Sequence, residues 1–249
     1  MSQQPSSQPP PSQPLALTIA IATMRRWSFL KDSLPLYLGR PEVAEVVVCD
    51  ETGEDYEAII NSSFGTHPKL RLYKNPTRLG IYENKLKAAS LATQDWIAVL
   101  DSDNLFNDEW FEQLSTVVFD SKTIVASADF KNLNVETGQV SYPCKQFSGL
   151  VINRMNWNFT LRQPGWNFLL NDGNWIIPKA AVAALPIYEK SGNWEATDAI
   201  YMLRQFIVAG FNIYYAPDLV YTHIVHPGSS WIQSAEKSEK IFVSTDWRV

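Results

Sequence analysis

The chain has 249 residues, of which 45% are hydrophobic, 12% aromatic and 19% charged, and its formal net charge is −5. This length and composition are those of a globular protein with a substantial core. The negative charge argues against a protein that coats nucleic acid, because such proteins rely on clustered Lys and Arg. The two cysteines, Cys49 and Cys144, are too few for a disulfide framework or a thiolate metal site, so we expect both to be reduced.

The first 14 residues are almost entirely Ser, Gln and Pro, a composition that predicts a disordered leader. We expect residues 15–249 to form one domain, in which residues 15–105 and 106–249 are two halves of different character. The chain shows no secretory signal pattern and no apolar run of about 18 residues that could form a transmembrane segment. The sequence therefore predicts a soluble, cytoplasmic protein, and it leaves peripheral association with a membrane open.

The first half alternates between strand and helix patterns. In chain order, strands are predicted at 17–23, 45–50, 70–73 and 96–100, and helices at 26–38 and 81–92. Such alternation predicts an α/β fold with a mostly parallel sheet and helices on both faces. Ligands of such sheets bind beyond the carboxyl ends of the strands. Asp50 and Asp101 lie at two of these ends, so we expect both to face one crevice.

The second half is less regular. A stretch rich in Trp and Asn runs from 153 to 175, a helix is predicted from near 196, and a strand is predicted at 211–215. No internal repeat is evident.

Asp101-Ser102-Asp103 directly follows a strongly apolar strand. Two carboxylates one residue apart on a turn can converge on a hard cation such as Mg²⁺ or Mn²⁺. The alternative is that these side chains cap a following helix, which would begin near Asn107.

The order of these features resembles the nucleotide-binding half of GT-A glycosyltransferases of the broad family 2 kind. The resemblance rests on Thr23 at the end of the first strand, Cys49-Asp50-Glu51, the Asn-Pro-Thr-Arg-Leu-Gly turn at 75–80, and Asp101-Ser102-Asp103. Lys85 stands where the family usually has Arg, so a cation is kept, and Leu86 replaces the usual Asn. The resemblance covers about residues 16–226 and implies a single Rossmann-like GT-A domain. It also implies that residues 15–105 form the nucleotide-sugar-binding half and residues 106–249 the acceptor-binding half.

The resemblance also implies the donor side of the site. Asp50 would accept a hydrogen bond from the base of a nucleotide sugar, with a UDP-sugar expected, and the backbone near Thr23 would line the base pocket. Arg78 and Lys85 would contact nucleotide or phosphate, alongside Asp101 and Ser102. The alternatives are that Asp50 bonds to its own turn and that Arg78 and Lys85 are solvated charges.

A second signature, at 193–204, resembles the family segment that carries the catalytic base. Asp198 matches the base of inverting members, and it is expected in the first turn of a helix, where the helix dipole favours an anion. Thr197 stands where the family usually has Glu, so Glu195 is a rival for the role. The alternative is that Thr197 or Asp198 only caps the helix.

Many GT-A enzymes have a His after a late strand that completes the metal shell, and His223 matches that position. The resemblance thus implies a Mn²⁺ or Mg²⁺ cofactor on Asp101, Asp103 and His223. With His226 so close, a structural role for His223 is the alternative.

The acceptor side is expected to be rich in Trp, because aromatic faces pack on sugar rings. Trp175 and Trp194 are the predicted acceptor contacts, within a group that also includes Trp157 and Trp166. For each one separately, core packing is the alternative.

The resemblance implies an inverting, metal-dependent transfer of a sugar to a hydroxyl of a glycan or glycoprotein. One rival is a non-catalytic carbohydrate-binding module on the same fold. The other is a sugar nucleotidyltransferase, which normally has a Gly-rich loop after the first strand, whereas residues 23–27 contain no Gly.

Overall fold

The structure, a computed structural model, describes residues 15–185 and 197–249, apart from the side chain of Trp231. Its first half alternates as predicted: β1 (Leu17–Thr23), α1 (Trp27–Leu38), β2 (Val43–Asp50), α2 (Glu54–Ile60), β3 (Leu70–Lys74), α3 (Ile81–Ser90) and β4 (Trp96–Asp101). The six predicted segments are all present, and α2 is an element that the sequence pattern did not reveal.

The second half contains shorter elements. They are α4 (Asp108–Gln113), β5 (Thr123–Ser127), β6 (Lys131–Asn134), β7 (Val140–Ser141), β8 (Val151–Ile152), α5 (Trp157–Thr160), α6 (Trp166–Leu170), β9 (Trp175–Pro178), α7 (Lys179–Ala184), α8 (Asp198–Val208), β10 (Asn212–Ala216), β11 (Thr222–Val225), α9 (Ser230–Gln233) and α10 (Ala235–Ser244). The predicted late helix and strand are α8 and β10. Nowhere in the described ranges is a helix both long and apolar enough to cross a membrane.

One large sheet organises the molecule. Its eight strands have the order β3-β2-β1-β4-β9-β5-β10-β8, and a second sheet contains β11, β6 and β7. In the large sheet β9 runs antiparallel to β4 and β5, and β8 runs antiparallel to β10, while the other pairs are parallel. The predicted mostly parallel α/β architecture is confirmed.

The core lies on both faces of this sheet. Helices cover the two faces, so the central strands are buried almost throughout and read as continuous apolar runs, as in Val46-Val47-Val48 of β2. On α1, Leu30, Leu34 and Leu38 recur every four residues and are buried, which gives this helix one apolar side.

Polar contacts tie the strands together at their amino ends. Glu45 of β2 accepts hydrogen bonds from Thr18 of β1 at 2.6 Å and from Arg71 of β3 at 2.8 Å, and it also accepts one from the hydroxyl of Thr93, just before β4. Burial alone would raise the pKa of Glu45, but these hydrogen bonds outweigh burial and lower it. This cluster lies at the amino ends of the strands. The carboxyl ends, at the opposite edge of the sheet, are therefore free to form a binding site.

Candidate active site

A cleft lies beyond the carboxyl ends of β1 and β4. It brings together eight of the residues predicted from the sequence: Thr23, Arg78, Lys85, Asp101, Ser102, Asp103, Asp198 and His223. These residues come from elements far apart in the chain, including β1, α3, β4, α8 and β11. The expected crevice at this edge of the sheet is therefore present.

Lys85 connects the two sides of the cleft. Its Nζ lies 2.8 Å from Asp101 Oδ1 and 2.7 Å from Asp198 Oδ2, and its side chain is only 3% exposed. Burial alone would lower the pKa of Lys85, but attraction by Asp101 and Asp198 outweighs burial and raises it. A permanently charged ammonium thus holds the two carboxylates in one arrangement.

Asp101 lies among other negative charges. Burial raises the pKa of Asp101 above its usual value, and repulsion by Asp198 and Asp103 adds to this effect, whereas Lys85 opposes it. Ionising a partly buried carboxyl among like charges is unfavourable, and a nearby cation favours its ionised form.

The polar turn before β9 fits closely under this charge cluster. A methyl group on the Cα of Gly173 would come within 2.6 Å of Lys85 Nζ and 2.9 Å of Asp101 Oδ2. The next residue, Asn174, accepts a hydrogen bond from the Asp101 backbone N–H at 2.9 Å. Because β9 is antiparallel to β4, its first residue lies at the carboxyl end of β4, and this direction brings the turn to the site.

The same turn carries a buried polar network. Asn174 donates to Asp172 Oδ1 at 3.0 Å, and the Tyr221 hydroxyl donates to the same oxygen. Asp172 Oδ2 is buried without a hydrogen-bond partner. Burial raises the pKa of Asp172, although the hydrogen bonds from Tyr221 and Asn174 oppose it. Gly173 and Asn174 were not predicted as site residues. The signal for them is the polar run at 171–174 directly before the apolar strand β9, which is typical of a turn.

Asp103 is contacted by two basic side chains. Its Oδ2 lies 3.0 Å from His226 Nε2 and 3.5 Å from Arg26 Nε. Burial alone would raise the pKa of Asp103, but the hydrogen bond with His226 and the charge of Arg26 outweigh burial and lower it. Arg26 also donates to the Gly228 carbonyl oxygen at 2.5 Å, so the loop after β11 is anchored beside Asp103.

His223 has an uncommitted ring nitrogen. Its Nδ1 is buried with no hydrogen-bond partner, which is a costly arrangement unless something else occupies that position. Burial lowers the pKa of His223, whereas the charges of Asp172 and Asp103 oppose that change. A neutral imidazole with a free nitrogen in a carboxylate-lined cleft has the chemistry of a metal ligand.

The carboxylates and imidazoles of the described residues do not form a ready-made group of three metal ligands. This agrees with the chemistry of Mg²⁺, which proteins usually bind through one or two carboxylates and the phosphates of a substrate. A cation near Asp101, Asp103 and His223 would therefore need further ligands, such as the phosphates of a substrate.

Comparison with known proteins places the chain in a family. Residues 18–170 match the sequence model of the family described as "Glycosyl transferase family 2". The chain belongs to glycosyltransferase family 2. A comparison with curated protein sequences gave no match.

Solved structures share the fold. Residues 1–349 of TarS from S. aureus, in complex with UDP-GlcNAc, match with a TM-score of 0.66 and 16% identity over 91% of this chain and 64% of that chain. The complex of the same TarS fragment with UDP matches with a TM-score of 0.61 and 16% identity, over 86% and 61% of the two chains. The chain thus has the predicted GT-A fold, and it spans a little under two thirds of the TarS fragment in these complexes.

Asp50 does not line the cleft. Its carboxylate is buried and accepts backbone hydrogen bonds from Thr52 at 3.0 Å and from Tyr56, in the first turn of α2, at 2.8 Å. The geometry thus supports the alternative, a residue that bonds its own turn, over contact with the base. Its neighbour Glu51 does line the cleft, where it accepts hydrogen bonds from the backbone of the turn at 79–80.

Thr23 lines the cleft, and its hydroxyl donates to Asp55 at 2.6 Å. The Asp101-Ser102-Asp103 turn does not cap the next helix. Asn107 does so, by accepting from the Trp110 backbone N–H at 3.0 Å.

Trp175 is not available to an acceptor. It is 1% exposed, lies in β9 between β4 and β5, and contacts Phe206 edge to face at 6.3 Å. The interpretation of Trp175 as an acceptor contact is corrected to a core residue, because an inward-facing side chain of an interior strand is covered by helices. Trp157 is buried as well. Trp194 and Glu195 lie outside the described residues, so their predicted roles stay predictions.

Proposed function

We propose that the protein transfers a sugar from a UDP-linked donor to a hydroxyl group of a glycan or glycoprotein, with a divalent cation and with inversion at the anomeric carbon. The observation that carries the proposal is the Asp101–Lys85–Asp198 bridge, which joins the predicted donor side and the predicted base in one cleft. The identity of the donor is supported by TarS, whose structures with this fold contain UDP-GlcNAc and UDP.

Mn²⁺ or Mg²⁺ would be held by Asp103, with Asp101 and His223. When bound, such a cation neutralises the charge that develops on a departing diphosphate. The partly buried carboxylates of Asp101 and Asp103 and the unpartnered Nδ1 of His223 support this ligand set. Arg78, which also lines the cleft, adds a positive charge for a phosphate.

Asp198 would remove the proton of the acceptor hydroxyl. It is the first residue of α8, where the positive end of the helix dipole stabilises a carboxylate. The ion pair with Lys85 fixes its position, and a positioned base that accepts the proton during attack is the role expected in an inverting transferase.

The test is a panel of UDP-, GDP-, CDP- and ADP-sugars, each incubated with the protein and Mn²⁺, Mg²⁺ or EDTA, with release of the nucleoside diphosphate as the readout. We expect turnover with a UDP-sugar that EDTA abolishes. Binding of UDP-sugars without turnover under any condition would instead indicate a carbohydrate-binding module, and preference for another nucleotide would contradict the proposed donor.

A further inference from the structure

Residues 137–171 differ from the rest of the chain in charge. This stretch, the acid-free segment, contains no Asp or Glu but includes Lys145, Arg154 and Arg162. Its charge is +3, and since the whole chain carries −5, the remaining residues together carry −8. All three basic side chains are exposed.

The acid-free segment also exposes apolar side chains. Met155 is 91% exposed, Phe159 65% and Phe168 60%. Val140, Tyr142 and Val151 are exposed too, so the segment supplies six of the twelve large apolar side chains that are exposed in the described part of the chain. Large apolar side chains that cluster on an exposed surface mark a contact site for a partner or a membrane.

Contacts inside the segment bring its separate elements together. The Asn156 side chain donates to the Val151 carbonyl oxygen at 2.8 Å, which links β8 to α5. A methyl group on Gly165, at the start of α6, would lie 3.4 Å from Gln146 Nε2 and 3.7 Å from the Phe147 ring. The turn at 145–147 therefore packs against the loop between α5 and α6. At its end, the segment reaches Asn171, which lines the cleft.

We propose that the acid-free segment is a docking surface for an anionic lipid bilayer. Aromatic and aliphatic side chains enter the boundary between head groups and acyl chains, and exposed Lys and Arg attract anionic lipids. A second copy of the chain fits this surface less well, because an isologous contact would place three cations against three cations. Asp246, in the C-terminal tail that packs on α5, is paired with Arg248 at 2.7 Å and adds no net negative charge.

Sedimentation with phospholipid vesicles tests the proposal on the full chain. We expect the protein to bind vesicles of phosphatidylcholine mixed with phosphatidylglycerol, to bind phosphatidylcholine alone much more weakly, and to lose binding at high salt. The double variant M155Q/F159Q removes two apolar groups and should weaken binding at least about tenfold. R154Q/R162Q should weaken binding by about tenfold, and only to the anionic vesicles.

The matched control is V118Q. Val118 is 78% exposed but lies outside the acid-free segment, so its substitution should leave vesicle binding unchanged. All substituted side chains are exposed, so we expect the thermal unfolding midpoints to stay close to that of the parent. Hydrolysis of a UDP-sugar without vesicles should be equal in the parent and M155Q/F159Q, which keeps this test separate from the proposed catalytic function.

Three outcomes would overturn the proposal. The first is that the parent protein binds anionic and neutral vesicles equally well, or binds neither. The second is undiminished vesicle binding by M155Q/F159Q. The third is a dimer in light scattering that M155Q/F159Q converts to a monomer, because the surface would then serve a second copy of the chain.

Discussion

Asp103 is the residue at which the proposed cation site can be tested most directly. Its carboxylate contacts His226 and Arg26, and both contacts can survive replacement by Asn because the side-chain oxygen is kept. Asp103→Asn removes one negative charge and a good oxygen ligand, so Mn²⁺-dependent affinity for UDP should fall at least about tenfold, as even indirect disturbance of metal ligands costs 10- to 100-fold. Calorimetric titration of UDP with and without Mn²⁺ measures this change.

Asp108→Asn is the control for that titration. Asp108 is a carboxylate with a 72% exposed side chain that pairs with Arg40, and it does not line the cleft. Its substitution should leave UDP binding unchanged. An Asp103→Asn protein that keeps full metal-dependent affinity would show that the Asp101-Ser102-Asp103 turn does not hold the cation.

Asp198 separates catalysis from donor binding. Asp198→Asn keeps an oxygen that can accept from Lys85, so we expect the fold and donor affinity to be close to those of the parent. Turnover should fall by about 10² to 10⁴, the usual contribution of a positioned general base. Steady-state transfer kinetics and UDP titration together measure the two effects.

Glu195→Gln must be measured beside it, because Glu195 is the rival base. If this variant is the inactive one while Asp198→Asn turns over normally, Glu195 is the base and the interpretation of the 193–204 segment is wrong. If neither variant is slowed, an inverting mechanism with a base from this segment is contradicted.

At the scale of an element, the direction of β9 decides the shape of the site. The turn before this strand places Gly173 against Lys85 and Asp101, where no side chain fits without displacing a charged group. Gly173→Ala should therefore separate Lys85 from Asp101, weaken UDP binding and lower the free energy of unfolding by about 1–3 kcal/mol. Urea denaturation and UDP titration measure these two changes.

Gly39→Ala provides the control. A methyl group at Gly39 would meet only backbone oxygens at 3.5 and 3.6 Å, which is ordinary contact, and the residue ends α1 with φ −78°. This variant should unfold and bind UDP like the parent. If the Gly173→Ala protein were as stable as the parent and bound UDP as tightly, the turn before β9 would have room for a side chain.

The sequence predicted some of these elements better than others, for physical reasons. The buried strands of the first half are continuous apolar runs with a carboxylate at the end, so both their positions and the cleft could be predicted. The direction of β9 could not, because four residues ending in Pro carry no signal for the strands that flank them. The roles predicted for Asp50, as a base contact, and for Trp175, as an acceptor contact, differ from their contacts in the structure for a related reason. A strand-end carboxylate suits a turn as well as a ligand, and an apolar Trp suits a core as well as a sugar, so only the tertiary contacts distinguish these roles.

At the scale of the whole molecule, the two ends of the large sheet have different tasks. Beyond the carboxyl ends, Asp101 of β4 contacts Lys85 of α3, which contacts Asp198 of α8, and these three charged side chains line the cleft. At the amino ends, Glu45 links β1, β2, β3 and Thr93, just before β4, through hydrogen bonds that include an ion pair with Arg71 at 2.8 Å. We therefore expect substitutions at the amino ends to change stability without changing donor binding.

Glu45 also makes this stability depend on pH. Its pKa is lower in the folded protein than the usual value of 4.5, because hydrogen bonds to the charged form outweigh burial. A carboxyl whose pKa is lowered by folding stabilises the folded state above its unfolded pKa, and this contribution is lost as the pH falls through the folded pKa.

Glu45→Gln should lower the free energy of unfolding at pH 7 by about 1.5–3 kcal/mol, the value of hydrogen bonds to a charged group. The difference from the parent should shrink as the pH falls below about 4.5. Urea denaturation at a series of pH values measures both effects, and exposed Glu112→Gln, which should change neither, is the control. A constant difference between Glu45→Gln and the parent at every pH would show that the charge of Glu45 is not what joins these strands.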